Sequence, residues 1–161
     1  MNGSRFDFLR ISAIASLVLL LAACATRPVA VPAPARLDAE QSRSVTMYAL
    51  GLVGTPYRYG GNTPESGFDC SGLIGHVYKL QAGLAAPRTV ASLQGWGQPV
   101  PAGQLRAGDL VLFGNGGAPT HAGIYVDEGR FVHAPSAGGQ VRMDRLGTPY
   151  WARQQIAYRR P

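Results

Sequence analysis

The stretch Gly67–Leu73, GFDCSGL, sets Cys70 between an aspartate and a Ser-Gly pair, and His121 and His133 follow 51 and 63 residues later. A thiol and two imidazoles are the groups of nucleophilic acyl transfer. The thiolate attacks a carbonyl, one imidazole moves the proton, and a further polar group holds that imidazole in the right tautomer. The same three side chains can bind zinc with one position open, although no short ligand spacing is present. A single cysteine on an apolar helix face can also be a packing thiol, so the elements around it have to decide.

Asp69 is placed to cap a helix that begins at Cys70, and Leu73, Ile74, Val77, Leu80 and Leu84 give that helix an apolar stripe which includes the direction of Cys70. The thiol therefore faces inward. The partial positive charge of the helix N-terminus, together with a neighbouring imidazolium, lowers a thiol pKa, and the orphan N–H groups there can hold an oxyanion. Asp69 opposes that field unless it is committed to the cap. His76 lies about 9 Å along the axis and roughly 120° around it, out of reach of the thiol, and reads as a packing or surface residue.

A first helix is expected from Asp38, an N-cap with Gln41 three residues on, through Val45, Tyr48, Ala49, Leu52 and Val53, with Gly54 before Thr55-Pro56 as its stop. Pro87–Gly97 reads as a short surface helix or loop. Strands are expected at 108–113, 121–126 and 130–135, with weaker ones in GQVRMD and QQIAYR. Helices first and strands later predict an α+β domain, helices packed on an antiparallel sheet of about five or six strands. A three-residue Asp127-Glu128-Gly129 turn with a bulge at Gly129 pairs Val126 with Arg130, Ile124 with Val132 and Gly123 with His133. His121, Gly123, Tyr125, Phe131 and His133 then share one sheet face, with Gly123 leaving room between the histidines.

The remaining segments place the domain. Arg5 and Arg10 precede an uncharged run from Ile11 to Ala25, too short to span a bilayer and closed by small residues, so residues 1–23 read as an export signal. Leu21–Cys24, LAAC, resembles the lipobox of bacterial lipoproteins, which implies a diacylated Cys24 as the mature N-terminus and, with Ala25 next, an outer-membrane anchor facing the periplasm. Residues 24–37 then form a Pro/Ala-rich semi-extended linker and 38–161 the domain. The mature chain has thirteen basic and eight acidic residues, net +5, and its arginines are scattered rather than gathered into a stripe. That suits an acidic polymer or surface and gives no reason to expect a nucleic-acid partner.

GTPYRYGG, GFDCSGL, PRT, AGDLVLF, HAGIYV and FVHAPS, in that order, make the chain similar to the NlpC family of cell-wall cysteine peptidases, across most of Val45 to Arg159. The resemblance implies a papain-like fold, no metal or organic cofactor, and a monomer acting on peptidoglycan. It implies Cys70 as nucleophile, His121 as general base and His133 as the polar group orienting it. Tyr57 is implied at the oxyanion or substrate, and Asp69 and Ser71 in recognising the stem peptide. The reaction implied is hydrolysis of stem peptides or cross-links at amide bonds next to D-amino acids or diaminopimelate. An amidase or acyltransferase of the same fold, and a lipoprotein that binds wall peptides without cutting them, are the competing readings.

Overall fold

A computed structural model describes residues 37–136 and 139–161. The expected signal peptide 1–23, the lipidated Cys24 and the linker up to Arg36 lie outside the described residues.

Helix α1 (Ala39–Gly51) starts where its capping box predicts: the Asp38 carboxylate accepts from the Gln41 N–H at 2.7 Å, and the Gln41 side chain accepts from the Asp38 N–H at 3.1 Å. Val45 and Ala49 are fully buried, but Val53 falls past the end of the helix and is 46% exposed, so the expected stripe stops at Leu52. A small hairpin, β1 (Asn62–Thr63) with β2 (Gly67–Phe68), occupies the loop before the cysteine. Helix α2 (Cys70–Ala82) is capped by Asp69, whose carboxylate accepts from the Gly72 N–H at 2.6 Å, and ends on Gly83 in the left-handed conformation. Leu73, Ile74 and Val77 are buried, while Leu80, also expected on the stripe, is 57% exposed at the last turn.

A short helix α3 (Val90–Leu93), capped by Thr89, follows. It is not merely superficial: Leu93 is fully buried, and Trp96 packs edge-on against Tyr78 with centroids 5.1 Å apart. The remaining strands are β3 (Gln98–Pro99), β4 (Leu110–Gly114), β5 (His121–Asp127), β6 (Arg130–His133), β7 (Arg142–Arg145) and β8 (Gln155–Arg160), with a one-turn helix α4 (Pro149–Ala152) before the last. They form one antiparallel sheet in the order β3-β8-β4-β5-β6-β7. The six-stranded sheet with its N-terminal helices is the expected α+β architecture.

The β5–β6 turn differs from expectation in detail. Asp127 pairs with Arg130, so the loop has two residues, Glu128 and Gly129, both at positive φ as in hairpin turns of type I′. Val126 rather than Gly129 is the extra residue, bulged between Tyr125 and Asp127. One fewer residue in the loop and one more in the strand cancel. Ile124 still faces Val132 and Gly123 still faces His133, so both histidines share a face.

That face is not the one the helices cover. Helices α1 and α2 pack on Leu110, Leu112, Ile124 and Val132, whereas Val111, Phe113, Phe131 and Trp151 form a second, aromatic core on the histidine side. Cys70 and His121 nevertheless line the same cleft, because Cys70 begins its helix and His121 begins its strand.

Candidate active site

Cys70, His121, Tyr57, Asp69 and Ser71 line one open cleft of about 540 Å³. His133 stands behind it, fully buried. The N–H groups of Cys70, Ser71 and Ala122 face the sulfur, the last belonging to the residue after His121. Cys24 lies outside the described residues. Gly72 lets the site form: a side chain there would collide with the Gly61 carbonyl, which also receives the Asp69 N–H at 3.1 Å. Gly123 does the same for the imidazoles, since a methyl group would come within 2.7 Å of the Phe131 ring and 2.9 Å of the Val132 oxygen.

Two side chains not singled out from the sequence hold the two ends of the site. Arg88 forks onto Asp69, with Nη1 and Nη2 each 2.8 Å from a carboxylate oxygen, and Nη1 also reaches Ser71 Oγ at 2.6 Å. Ser71 Oγ in turn donates toward the Arg88 carbonyl at 2.7 Å. Ser71 and Asp69 thus brace Arg88. The only sequence signal was the PRT run.

Asp144 closes the other end. His121 Nε2 is 2.8 Å from His133 Nδ1, and His133 Nε2 is 3.1 Å from Asp144 Oδ2, off the line of its N–H. Asp144 also accepts from Trp151 Nε1 and from Arg142 Nη2, each at 3.0 Å. Trp151 lies nearly parallel to His121, interplanar angle 22°, and edge-on to His133. No sequence pattern announced Asp144, because the segment between β6 and β7 hides the register of β7.

The neighbouring carboxylate favours one arrangement of protons. A carboxylate only accepts, so with Asp144 Oδ2 at 3.1 Å neutral His133 favours its hydrogen on Nε2 and a lone pair at Nδ1. His121 must then donate from Nε2. Its Nδ1 is left bare, as a base requires.

The electrostatics correct one expectation. Burial pushes the Cys70 thiol above its ordinary value, the Asp69 charge adds to the rise, and the surrounding N–H groups only partly offset both. Burial drives His121 down to about 3, aided by His133, and His133 down to about 4 against the pull of Asp144. Burial at both groups thus favours the neutral thiol and the neutral imidazole over a preformed thiolate-imidazolium pair. Burial also works against the carboxylates of Asp69 and Asp144, but Arg88 with the Gly72 N–H at one, and Trp151 with Arg142 at the other, hold both below the usual range. Burial raises the Tyr57 hydroxyl, with the Cys70 charge next, so it stays a donor.

The two histidines make stability pH-dependent. Unfolded, each takes up a proton as pH falls through 6.5; folded, they resist protonation to about 4 and 3. Between these limits the unfolded chain binds more protons, so their contribution is complete above pH 6.5 and declines as pH drops toward 4. Tm measured from pH 7 to 4 is expected to fall, less steeply in His121→Gln. A Tm independent of pH over that range would contradict the buried neutral pair.

Fold and site together define a papain-like domain in which Cys70 and His121 line one cleft with His133 buried behind. The chain belongs to the NlpC/P60 family, whose pattern matches residues 54–160. It is similar to the murein DD-endopeptidase MepH of Escherichia coli K12, 38% identical over 112 residues, covering 67% of this chain and 41% of the relative. It is likewise similar to the murein DD-endopeptidase MepS/murein LD-carboxypeptidase of the same strain, 38% identical over 120 residues, 74% of this chain and 62% of the relative. Among solved structures, the NlpC/p60 domain of the peptidoglycan hydrolase SagA superposes with a TM-score of 0.64 at 30% identity, covering 72% of this chain and 96% of that domain. The match thus spans 41% and 62% of the lengths of those two curated relatives.

Proposed function

We propose that the protein is a cysteine endopeptidase that hydrolyses peptidoglycan stem peptides or their cross-links. The observation that carries the reading is the row Asp144, His133, His121, which leaves the other ring nitrogen of His121 free in the open cleft that Cys70 also lines. As the sulfur attacks the substrate carbonyl, the thiol proton passes to His121 Nδ1 and a C–S bond forms. The negative oxygen is held by the helix N-terminal N–H groups and the Tyr57 hydroxyl. The C–N bond then breaks, and His121 returns its proton to the departing amine. Water attacks the thioester with His121 again taking a proton, the C–S bond breaks, and the thiol is restored.

The names of the relatives support peptidoglycan as the substrate. A lipidated Cys24 facing the periplasm from the outer membrane, after removal of residues 1–23, would tether the domain beside that polymer. Incubation of the protein with purified sacculi, followed by mass spectrometry of the released fragments, is expected to show new amino and carboxyl termini within stem peptides. Cleavage confined to glycan bonds, or none, would refute the reading.

Asp144→Asn tests the proton chain. The amide can turn an N–H toward His133 Nε2, which moves the His133 hydrogen to Nδ1 and the His121 hydrogen onto the nitrogen that must be bare. Loss of the tautomer-fixing carboxylate in a Ser-His-Asp triad lowers kcat by roughly 10⁴-fold. One imidazole further out, we expect about 10²-fold in kcat with KM little changed, and a shift of the His121 ¹⁵N signals from the Nε2–H to the Nδ1–H pattern. Unaltered turnover in Asp144→Asn would remove Asp144 from the mechanism.

A further inference from the structure

The cleft that holds Cys70 does not end at His121. A second cleft of about 430 Å³ shares Thr120, His121 and Ser136 with it and continues past Pro135 to Arg142, Tyr150 and Trp151. His121 stands where the two meet.

The chemistry orients a substrate across this ridge. The carbonyl carbon that bonds to sulfur lies in the Cys70 cleft, and the nitrogen that leaves receives its proton from His121. The chain attached to that nitrogen therefore runs over His121 into the second cleft.

Among the described residues, no acidic side chain lines that second cleft. Arg142 presents a guanidinium whose side chain is 49% exposed, whereas its partner Asp144 is only 20% exposed, so the end of the pair that faces solvent is the cationic one. The Asp144 contact at 3.0 Å engages one nitrogen of a planar fork with five N–H donors. Tyr150, 65% exposed, and the hydroxyls of Thr120 and Ser136 complete a wall suited to a short polar residue. The Arg142 charge is felt at both imidazoles, as expected of a guanidinium in the cleft that His121 also lines.

Resting on the hydrolase reading above, we infer that this second cleft is the leaving-group subsite, and that it takes a residue with a free carboxylate next to the released amine, paired with Arg142. Such a residue is the last of a peptide, one joined through its side-chain amine, or one that continues the chain through its side-chain carboxyl group. A leaving residue extended through its own α-carboxyl group offers no such carboxylate. The site therefore selects against bonds whose leaving residue is extended in that way.

Two synthetic stem peptides that differ only at the leaving residue, free carboxylate against carboxamide, test this with the full chain. The wild type is expected to cleave the acid about tenfold faster in kcat/KM, chiefly through KM. Arg142→Gln is expected to bring the acid-to-amide ratio to about one, and Arg142→Lys to restore part of it. The ratio is the readout, since loss of the Asp144 contact slows both peptides alike. Equal cleavage of both peptides by the wild type, or a ratio unchanged in Arg142→Gln, would overturn the inference. The wild-type comparison decides even if that variant does not fold. Failure to cleave either peptide or sacculi would instead overturn the hydrolase reading itself.

Discussion

Cys70→Ala is expected to abolish hydrolysis while leaving the domain folded. In triad peptidases, removal of the nucleophile lowers kcat by roughly 10⁶-fold, and the residue left over reflects binding and oxyanion stabilisation alone. The same order applies here, because no hydroxyl stands in for the sulfur: Ser71, the adjacent candidate, turns its Oγ to Asp69 and the Arg88 carbonyl. Stability should change little. The thiol is half-buried and its burial already disfavours ionisation, so losing one sulfur beside Asp69 is expected to alter stability by no more than about 1 kcal/mol. Peptide release assayed beside thermal melts separates the outcomes. A variant that melts like the wild type and still cleaves would dismiss the thiol mechanism.

His121→Ala is expected to lower kcat/KM by roughly 10³-fold near neutral pH, within the range typical of a positioned base. Its pH dependence is the more telling result. In the wild type the base is already neutral above about 3 and takes the thiol proton during attack, so the rate should be level from pH 5 to 8. Without the base, only the small fraction of spontaneous thiolate reacts. Activity should then rise about tenfold per pH unit until the raised pKa of Cys70 is passed. A fold defect would not produce that slope. The Cys70→Ala/His121→Ala double variant should be no worse than Cys70→Ala, since the two residues act as one unit.

What the sequence showed of this site was local chemistry. The Asp38 and Asp69 caps and the placement of Cys70 at a helix start follow from short-range hydrogen bonding, and each is found. The shared face of His121 and His133 was also legible, although for a partly different reason: the Val126 bulge, not one at Gly129, restores the parity that a two-residue turn would have broken. Alternation could not say which sheet face the helices cover, because both faces are apolar, one aliphatic and one aromatic. Arg88 and Asp144 come from segments tied to the site by tertiary packing alone. The sign of the thiol shift was missed because the helix field is local and readable, whereas burial is a property of the assembled fold.

Covalent acyl transfer is the central claim, and nucleophile partitioning tests it most directly. With a stem-peptide substrate and increasing hydroxylamine, a thioester at Cys70 divides between water and the added amine, whichever step limits the rate. The expected result is a hydroxamate of the acyl half whose ratio to the free acid rises linearly with hydroxylamine and is the same for substrates with different leaving residues. Release of the free acid alone at every hydroxylamine concentration, or a ratio that changes with the leaving residue, would contradict it.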